Sequence, residues 1–374
     1  MKQRNRNKYR NQLWALAALT SLLVGCAVSP AAQEPKQEVT SEETQNDSGM
    51  IDAKVITPQT SIKKIENGLS IVQFEGNDGF STFLDNGGAS SDAGVMEYLT
   101  EHMLSGAGGF MMKGNPFGCS AVSAVNENGE YMFGRNFDWY HCDALIVVSY
   151  PEDAYASIST VNTNFIKQGA GIGAALLNSD SIMTTAALYA PLDGMNEQGL
   201  CVSVNMIEDS DTIEQNTGKT GITTTTAVRL LLNNAADVEE AVALLETYDL
   251  HASFGYMVHF ALSDAKGNHV VVEYVDNEMV VTQTPVVTNF YLADGEKHGI
   301  GTSQSHERYD LLMETLKEQE TLSESDMRDA LERVSKHNYD DGETTEWSII
   351  FHQTTKEAVY FHREDYGQAY RISL

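Results

Sequence analysis

Cys119-Ser-Ala-Val-Ser-Ala-Val125, Asn126-Glu-Asn-Gly129 and Tyr131-Met-Phe-Gly-Arg-Asn-Phe137 read together as a β-hairpin. The first arm is small and β-branched, Asn-Glu-Asn-Gly supplies turn residues, and the second arm is rich in aromatics. A turn centred near Asn128 sets Cys119 opposite Phe137. Side chains alternate along a strand, so Arg135 becomes the diagonal neighbour of Cys119 on one face. A guanidinium there favours a thiolate. Asp138 falls just past the second arm, where a carboxylate can orient an amine at position 119. A Cys119 that begins a chain carries nucleophile and base in one residue. An α-amine, with a reference pKa of about 8, is a far better base near neutral pH than a lysine.

Downstream, Met257–Leu262 and His269–Tyr274 form a second hairpin around Asp264-Ala-Lys-Gly-Asn268, and Trp347–His352 with Ala358–His362 a third. Helices fit Thr226–Ala235, Asp237–Tyr248 (opened by the capping box of Asp237 with Glu240), Glu307–Gln319 and Ser325–Lys336. Antiparallel strands with paired helices predict an α+β fold of sheets layered against helices. Cys119 to Leu374 is a plausible length for one domain.

Upstream, Leu69–Phe74 and Phe80–Leu84 read as short strands. Ser91 or Asp92 caps a helix through Leu104, with Met96, Leu99, Met103 and Leu104 on one face. Ser105-Gly-Ala-Gly-Gly109 is a flexible connector. Residues 61–118 are thus a small folded piece ahead of the 119–374 domain. Residues 26–60 are rich in Glu, Gln, Ser, Thr and Pro and read as a disordered tether. Residues 1–25 are a basic stretch followed by a short apolar one, the pattern of a secretory signal, ending Leu23-Val24-Gly25-Cys26. That ending resembles the bacterial lipobox, which implies acylation of Cys26 and an extracytoplasmic, lipid-anchored protein.

The chain has 53 Asp+Glu against 24 Lys+Arg, a net charge of −29. Such a surface repels polyanions, which argues against nucleic acid or anionic lipid head groups as partners. Cys119, Cys142 and Cys201 have no CxxC spacing, and the ten histidines lack ligand spacing, so no metal is assigned. Outside the cytoplasm a Cys142–Cys201 disulfide is open.

Cys119, Arg135 and Asp138, with Gly-Arg-Asn-apolar-Asp between, resemble the start of the choloylglycine hydrolase family of N-terminal-nucleophile (Ntn) hydrolases, which includes bile salt hydrolases and penicillin V acylases. Three further segments match in order. Asp193-Gly-Met-Asn-Glu-Gln-Gly199 with Asn205 resembles the family's stretch ending in an oxyanion-hole asparagine, with a one-residue gap. Val287-Thr288-Asn289 resembles a segment whose asparagine is also catalytic, and Ser305-His-Glu-Arg308-Tyr the segment bearing a second active-site arginine. The resemblance implies an αββα sandwich, hydrolysis of a linear carbon–nitrogen amide, no cofactor, and catalytic roles for Cys119, Arg135, Asp138, Asn205, Asn289 and Arg308. The substrate it implies is a small N-acyl amide. It leaves the oligomeric state open.

One departure stands out. Bile salt hydrolases of the family expose the cysteine by losing an initiator residue, whereas here 118 residues precede it. The cysteine must be freed internally, between Gly118 and Cys119, as in the related N-acylethanolamine amidases and acid ceramidases. Other readings are an acyltransferase of the penicillin-biosynthetic kind and an inactive, lipid-anchored binding protein.

Overall fold

The computed structural model describes residues 49–102, 118–169, 178–208, 211–295, 299–337 and 342–374. The signal stretch, Cys26, most of the tether, and Met103 to Phe117 with its glycines lie outside the described residues.

The described chain begins with β1 (Ala53–Val55), β2 (Lys63–Glu66), β3 (Leu69–Gly76), α1 (Phe80–Asp85) and α2 (Asp92–His102). Then come the hairpin β4 (Gly118–Val125) and β5 (Tyr131–Trp139), β6 (Ala144–Pro151), β7 (Ser157–Asn162), α3 (Thr163–Gly169), α4 (Asp180–Leu188), β8 (Asp193–Asn196) and β9 (Cys201–Met206). β10 (Thr220–Thr223), α5 (Thr224–Asn234), α6 (Val238–Leu245) and β11 (Tyr248–His251) precede the meander β12 (Val258–Ser263), β13 (His269–Val275) and β14 (Glu278–Gln283). β15 (Val286–Val287), α7 (Ser303–Glu318), α8 (Glu324–Arg333), β16 (Thr344–His352), β17 (Glu357–His362) and β18 (Ala369–Ser373) complete it.

Among the described residues these strands form two large sheets. One has seven strands in the order β1-β18-β17-β16-β5-β4-β15, and the other nine in the order β14-β13-β12-β9-β8-β7-β6-β3-β2. β4 meets β9 across the space between them, α7 and α8 pack on the seven-stranded sheet, and α5 and α6 on the other. The protein is an αββα sandwich, the architecture the resemblance implied.

The sequence of β5 shows why. Phe133, Phe137 and Trp139 alternate onto the inter-sheet core beside Cys119 and Ala121. Met132 turns the other way with Val122, against Leu331 and Met327 of α8. A strand buried on both faces needs apolar or internally bonded residues throughout, and β4 and β5 supply them. Helix ends follow their caps. Thr302 Oγ1 accepts from Ser305 N at 3.2 Å, and Ser323 forms a capping box with Asp326. Asp237 caps as expected, with Glu240 N at 3.0 Å, but Glu240 reaches back to Ala236 N rather than to the cap residue itself.

Three expectations need correction. Phe80–Leu84 is helical, because Phe80 and Phe83 stand one turn apart on the core side and Asp78 Oδ1 accepts from Phe80 N at 2.9 Å to start the turn. The described end of the tether, residues 49–60, is ordered: β1 pairs in parallel with β18, and Ile56 is buried. β5 continues to Trp139, so Asp138 lies within the strand. Cys142 and Cys201 are free, buried thiols.

The upstream residues are part of both sheets. β3 runs parallel to β6 from Leu69↔Ala144 to Gly76↔Pro151. Leu69, Ile71, Val72, Phe80 and Phe83 are each at most 1% exposed, and burial of such side chains stabilises by about 1.5–3 kcal/mol apiece. At the other sheet, buried Glu324 of α8 accepts from Ile51 N at 2.8 Å and from Arg371 Nη2 at 2.7 Å.

Candidate active site

Hairpin geometry builds the site. Cys119 pairs with Phe137 and Ala121 with Arg135, so the Cys119 side chain and Arg135 share the inward face as the turn required. Arg135 is fully buried and satisfied on several sides. Its Nε donates to Asp193 Oδ2 at 3.2 Å, Nη1 to Asn205 Oδ1 at 3.3 Å and Nη2 to the Val204 carbonyl at 2.9 Å. Trp347 Nε1 fixes the same Asp193 oxygen at 2.9 Å. Burial pushes the Cys119 thiol up, the Arg135 guanidinium pulls it back towards thiolate, and Asp138 adds to the upward push. Asn205 also accepts from Ser203 Oγ at 3.0 Å, while its amide nitrogen is buried with no hydrogen-bond partner among the described residues. Asn205 and Cys119 meet at Arg135, and a buried, unanswered donor there is a place for developing negative charge.

The pleat of the strands separates this thiol side from a backbone side. Asp138 alternates away from Arg135 and stands across from Gly118. Its two oxygens accept from Thr345 Oγ1 at 2.7 Å and from Arg308 Nη1 at 3.0 Å. The same Arg308 nitrogen donates to the Cys119 carbonyl at 3.0 Å, and Arg308 Nη2 donates to Asn289 Oδ1 at 2.7 Å. Asn289 Oδ1 accepts the Cys119 N–H at 2.9 Å, and Asn289 Nδ2 donates to the Met206 carbonyl at 2.8 Å. Register explains the placement. β15 pairs Val287 with Ala121, so Asn289 continues beside the start of β4 and its side chain extends the ladder there. The structure thus brings Cys119, Arg135, Asp138, Asn205, Asn289 and Arg308 into one connected, buried cluster.

Gly118 sits in a tight spot, where a Cβ would push the flexible end of the Lys336 side chain aside. A Cβ at this position would lie 2.9 Å from Lys336 Nζ and 3.0 Å from Asp138 Oδ2. Lys336 is itself buried and paired with Glu343, and its backbone N–H donates to Thr345 Oγ1 at 2.7 Å.

Sequence reasoning missed several supporting residues. His259, opposite Asn205 in the β9–β12 register, contacts Glu273 Oε1 through Nδ1 at 3.1 Å and the Thr288 carbonyl through Nε2 at 2.9 Å. Glu273 also accepts from Leu292 N and Ala293 N, at 2.8 and 2.7 Å. This buried pair fixes the peptide just before Asn289. Burial raises the Glu273 carboxyl, but the bonds from His259 and the two amides outweigh it and leave it below its ordinary value. Period-two patterning placed these polar residues inward on core strands, which was the available signal. Trp139 packs edge-on against Phe165, at 5.1 Å between centroids. Phe137 stacks on Trp347 at 3.9 Å, and Phe133 packs with Phe351, so these two belong to the core and do not line a substrate pocket.

Among the described residues, no group of three or more His, Cys, Asp or Glu is placed to hold a metal ion, and no helix is long and apolar enough to cross a membrane.

Part of the chain is similar to known proteins. No curated protein matches the chain. Among solved structures, a variant of the conjugated bile acid hydrolase from Clostridium perfringens is similar, at 18% identity over 68% of this chain and 92% of its own, with a TM-score of 0.49. Penicillin V acylase from Agrobacterium tumefaciens is similar at 17% identity over 65% and 83%, with a TM-score of 0.41. Residues 119–291 match the model for linear amide C–N hydrolases, choloylglycine hydrolase family, a span that begins at Cys119 and runs past Asn289. The match covers 173 of the 374 residues, and it is this part of the chain that is similar to the choloylglycine hydrolase family of linear amide C–N hydrolases.

Proposed function

We propose that the chain is a cysteine Ntn hydrolase that frees Cys119 by self-cleavage and then hydrolyses small N-acyl amides outside the cytoplasm, held to a membrane by a lipid on Cys26. The observation that carries this reading is the cluster around the Cys119 backbone. Asn289 holds its N–H, Arg308 its carbonyl, and Asp138 stands across from Gly118. An ordinary buried cysteine has no use for such a setting.

In maturation the Cys119 sulfur adds to the Gly118 carbonyl carbon and the Gly118–Cys119 C–N bond breaks. The nitrogen keeps its hydrogen, takes up a proton, and becomes a free α-amine. Water then hydrolyses the thioester and leaves a Gly118 carboxylate. Gly118 leaves its carbonyl open to the attack, since it has no side chain of its own to crowd Lys336 and Asp138. In turnover the α-amine takes the thiol proton, the thiolate attacks the substrate carbonyl, and the amine returns the proton to the leaving nitrogen. Water releases the acyl group. Asn205 Nδ2 donates to the oxyanion, joined by the second hydrogen of Asn289 Nδ2. Asn289 Oδ1 and Asp138 hold the amine, and Arg135 favours the thiolate. Loss of one oxyanion donor typically costs about 2.7–4 kcal/mol.

The test is a panel of taurine- and glycine-conjugated bile acids, penicillin V, N-acyl ethanolamines and N-acyl amino acids given to the cleaved protein. Cys119-dependent release of amine from at least one is expected. Hydrolysis of none, with Cys119-dependent cleavage of a polar peptide instead, would overturn the N-acyl reading.

A further inference from the structure

We propose that Lys336 is the counter-ion for the carboxylate that self-cleavage leaves on Gly118, and that it acts in the second half of that reaction, the hydrolysis of the thioester. This rests on the self-cleavage reading above and names a further residue for it. Lys336 is buried, and its Nζ lies 2.9 Å from where a Cβ on Gly118 would stand, with Asp138 Oδ2 3.0 Å from the same point. The ammonium therefore lies against the residue on the acyl side of the scissile bond.

The backbone of Lys336 holds it there. Its N–H donates to Thr345 Oγ1 at 2.7 Å, Thr345 N donates to its carbonyl at 3.0 Å, and the same Thr345 hydroxyl donates to Asp138 Oδ1 at 2.7 Å. One threonine thus sets both charges beside Gly118. Glu343 pairs with the Lys336 ammonium out of water. Burial works against that charge, but Asp138 and Glu343 outweigh it and hold the ammonium above its ordinary value. Arg308, the other cation against Asp138, is already engaged by the Cys119 carbonyl, Asp138 and Asn289.

Charge separates the two halves of the cleavage. In the acyl shift the thiol proton ends on the Cys119 nitrogen, so the thioester and the amine are both neutral. Hydrolysis then takes one water. Its oxygen bonds to the Gly118 carbonyl carbon, the C–S bond breaks, one proton returns to the sulfur and the other makes the amine an ammonium. A carboxylate and an ammonium thus appear together in a buried site, where an unpaired charge is costly. Asn289 Oδ1 and Asp138 receive the ammonium, and Lys336 is the cation placed for the carboxylate.

The test follows the full-length chain made by cell-free translation, with the rate of cutting read on denaturing gels. Lys336→Met should slow cutting at least about tenfold, and Lys336→Arg, which keeps the charge, should recover most of that loss. The double variant Lys336→Met/Glu343→Gln should stay as slow as Lys336→Met, because the missing cation and not a stranded Glu343 is the cause. Hydroxylamine added to the folded Lys336→Met chain should restore cutting to near the wild-type rate and leave a hydroxamate on Gly118 by mass spectrometry, since this nucleophile opens the thioester without making a carboxylate. Cutting of Lys336→Met at the wild-type rate overturns the proposal, as does a slow variant that hydroxylamine does not rescue or that the second substitution restores. A wild-type chain that is never cut, with or without hydroxylamine, defeats the self-cleavage reading and the proposal with it.

Discussion

β4 and β9 face each other across the inter-sheet core, and each carries a cysteine with no exposure, Cys119 second in β4 and Cys201 first in β9. Burial raises both thiols. For Cys201 the shift is large, relieved by Lys356 and reinforced by Asp264 and Asp193. For Cys119 the Arg135 guanidinium opposes the burial, and the backbone on either side is held by Asn289 and Arg308. Cys201 sits instead in a mid-sheet ladder against Ser263 and Met195. Burial alone thus makes a cysteine inert. In the proposed function, a buried charge partner and a strand end held by side chains are what set Cys119 apart as the nucleophile.

The largest separation between the two is expected in turnover. Cys119→Ser should lower kcat/KM by at least roughly 10³-fold, because a hydroxyl is a poorer nucleophile than a thiol. Cys201→Ala should leave activity per folded molecule within about threefold, as expected for a side chain that serves only packing. Equal losses from the two would erase the distinction. Next comes the donor beside Cys119. Asn205→Ala should reduce kcat by about 10²–10³-fold with a modest change in KM, while urea melts report an intact fold. A KM effect alone would remove Asn205 from the oxyanion.

Titration sharpens the contrast. The reactive form is the thiolate, and burial holds the Cys119 thiol above its ordinary value. Alkylation of Cys119 in the cleaved enzyme should therefore slow as pH falls and climb by about tenfold per pH unit from pH 6 upward. Mass mapping should find Cys201 unmodified until denaturant is added. A rate flat across this window would mean that Arg135 has already overcome burial. The smallest effect is on stability, where Cys201→Ala should cost about 1–2 kcal/mol in urea unfolding through the small void it leaves. A neutral result would mean that β9 and its neighbours close around the gap.

Much of this was legible in the sequence because it is local. The Asn126–Gly129 turn fixes which residues of the hairpin face each other, and Cys119, Arg135 and Phe137 stand as the turn dictates. The helix start at Asp237 follows from a side chain that answers a free N–H group, whereas the helix expected from Ser325 is capped two residues earlier, by Ser323. What was not legible is non-local. Nothing near Leu69 announces a parallel partner at Ala144, and nothing near Ala53 announces Ala369, so the upstream residues read as a separate piece when they supply strands at one end of both sheets. Phe80–Leu84 failed for a different reason, since a five-residue apolar run satisfies either period. His259 and Glu273 carry no motif, and only the folded register sets them behind Asn289.

Intact mass spectrometry of the purified full-length chain under denaturing conditions tests the self-cleavage claim most directly. Wild type should give a fragment beginning at Cys119 together with its upstream partner, and the two should share one size-exclusion peak before denaturation, since β1 and β3 are built into both sheets. Cys119→Ala should remain one chain. Wild-type protein that hydrolyses amides while remaining a single uncut chain would contradict the claim.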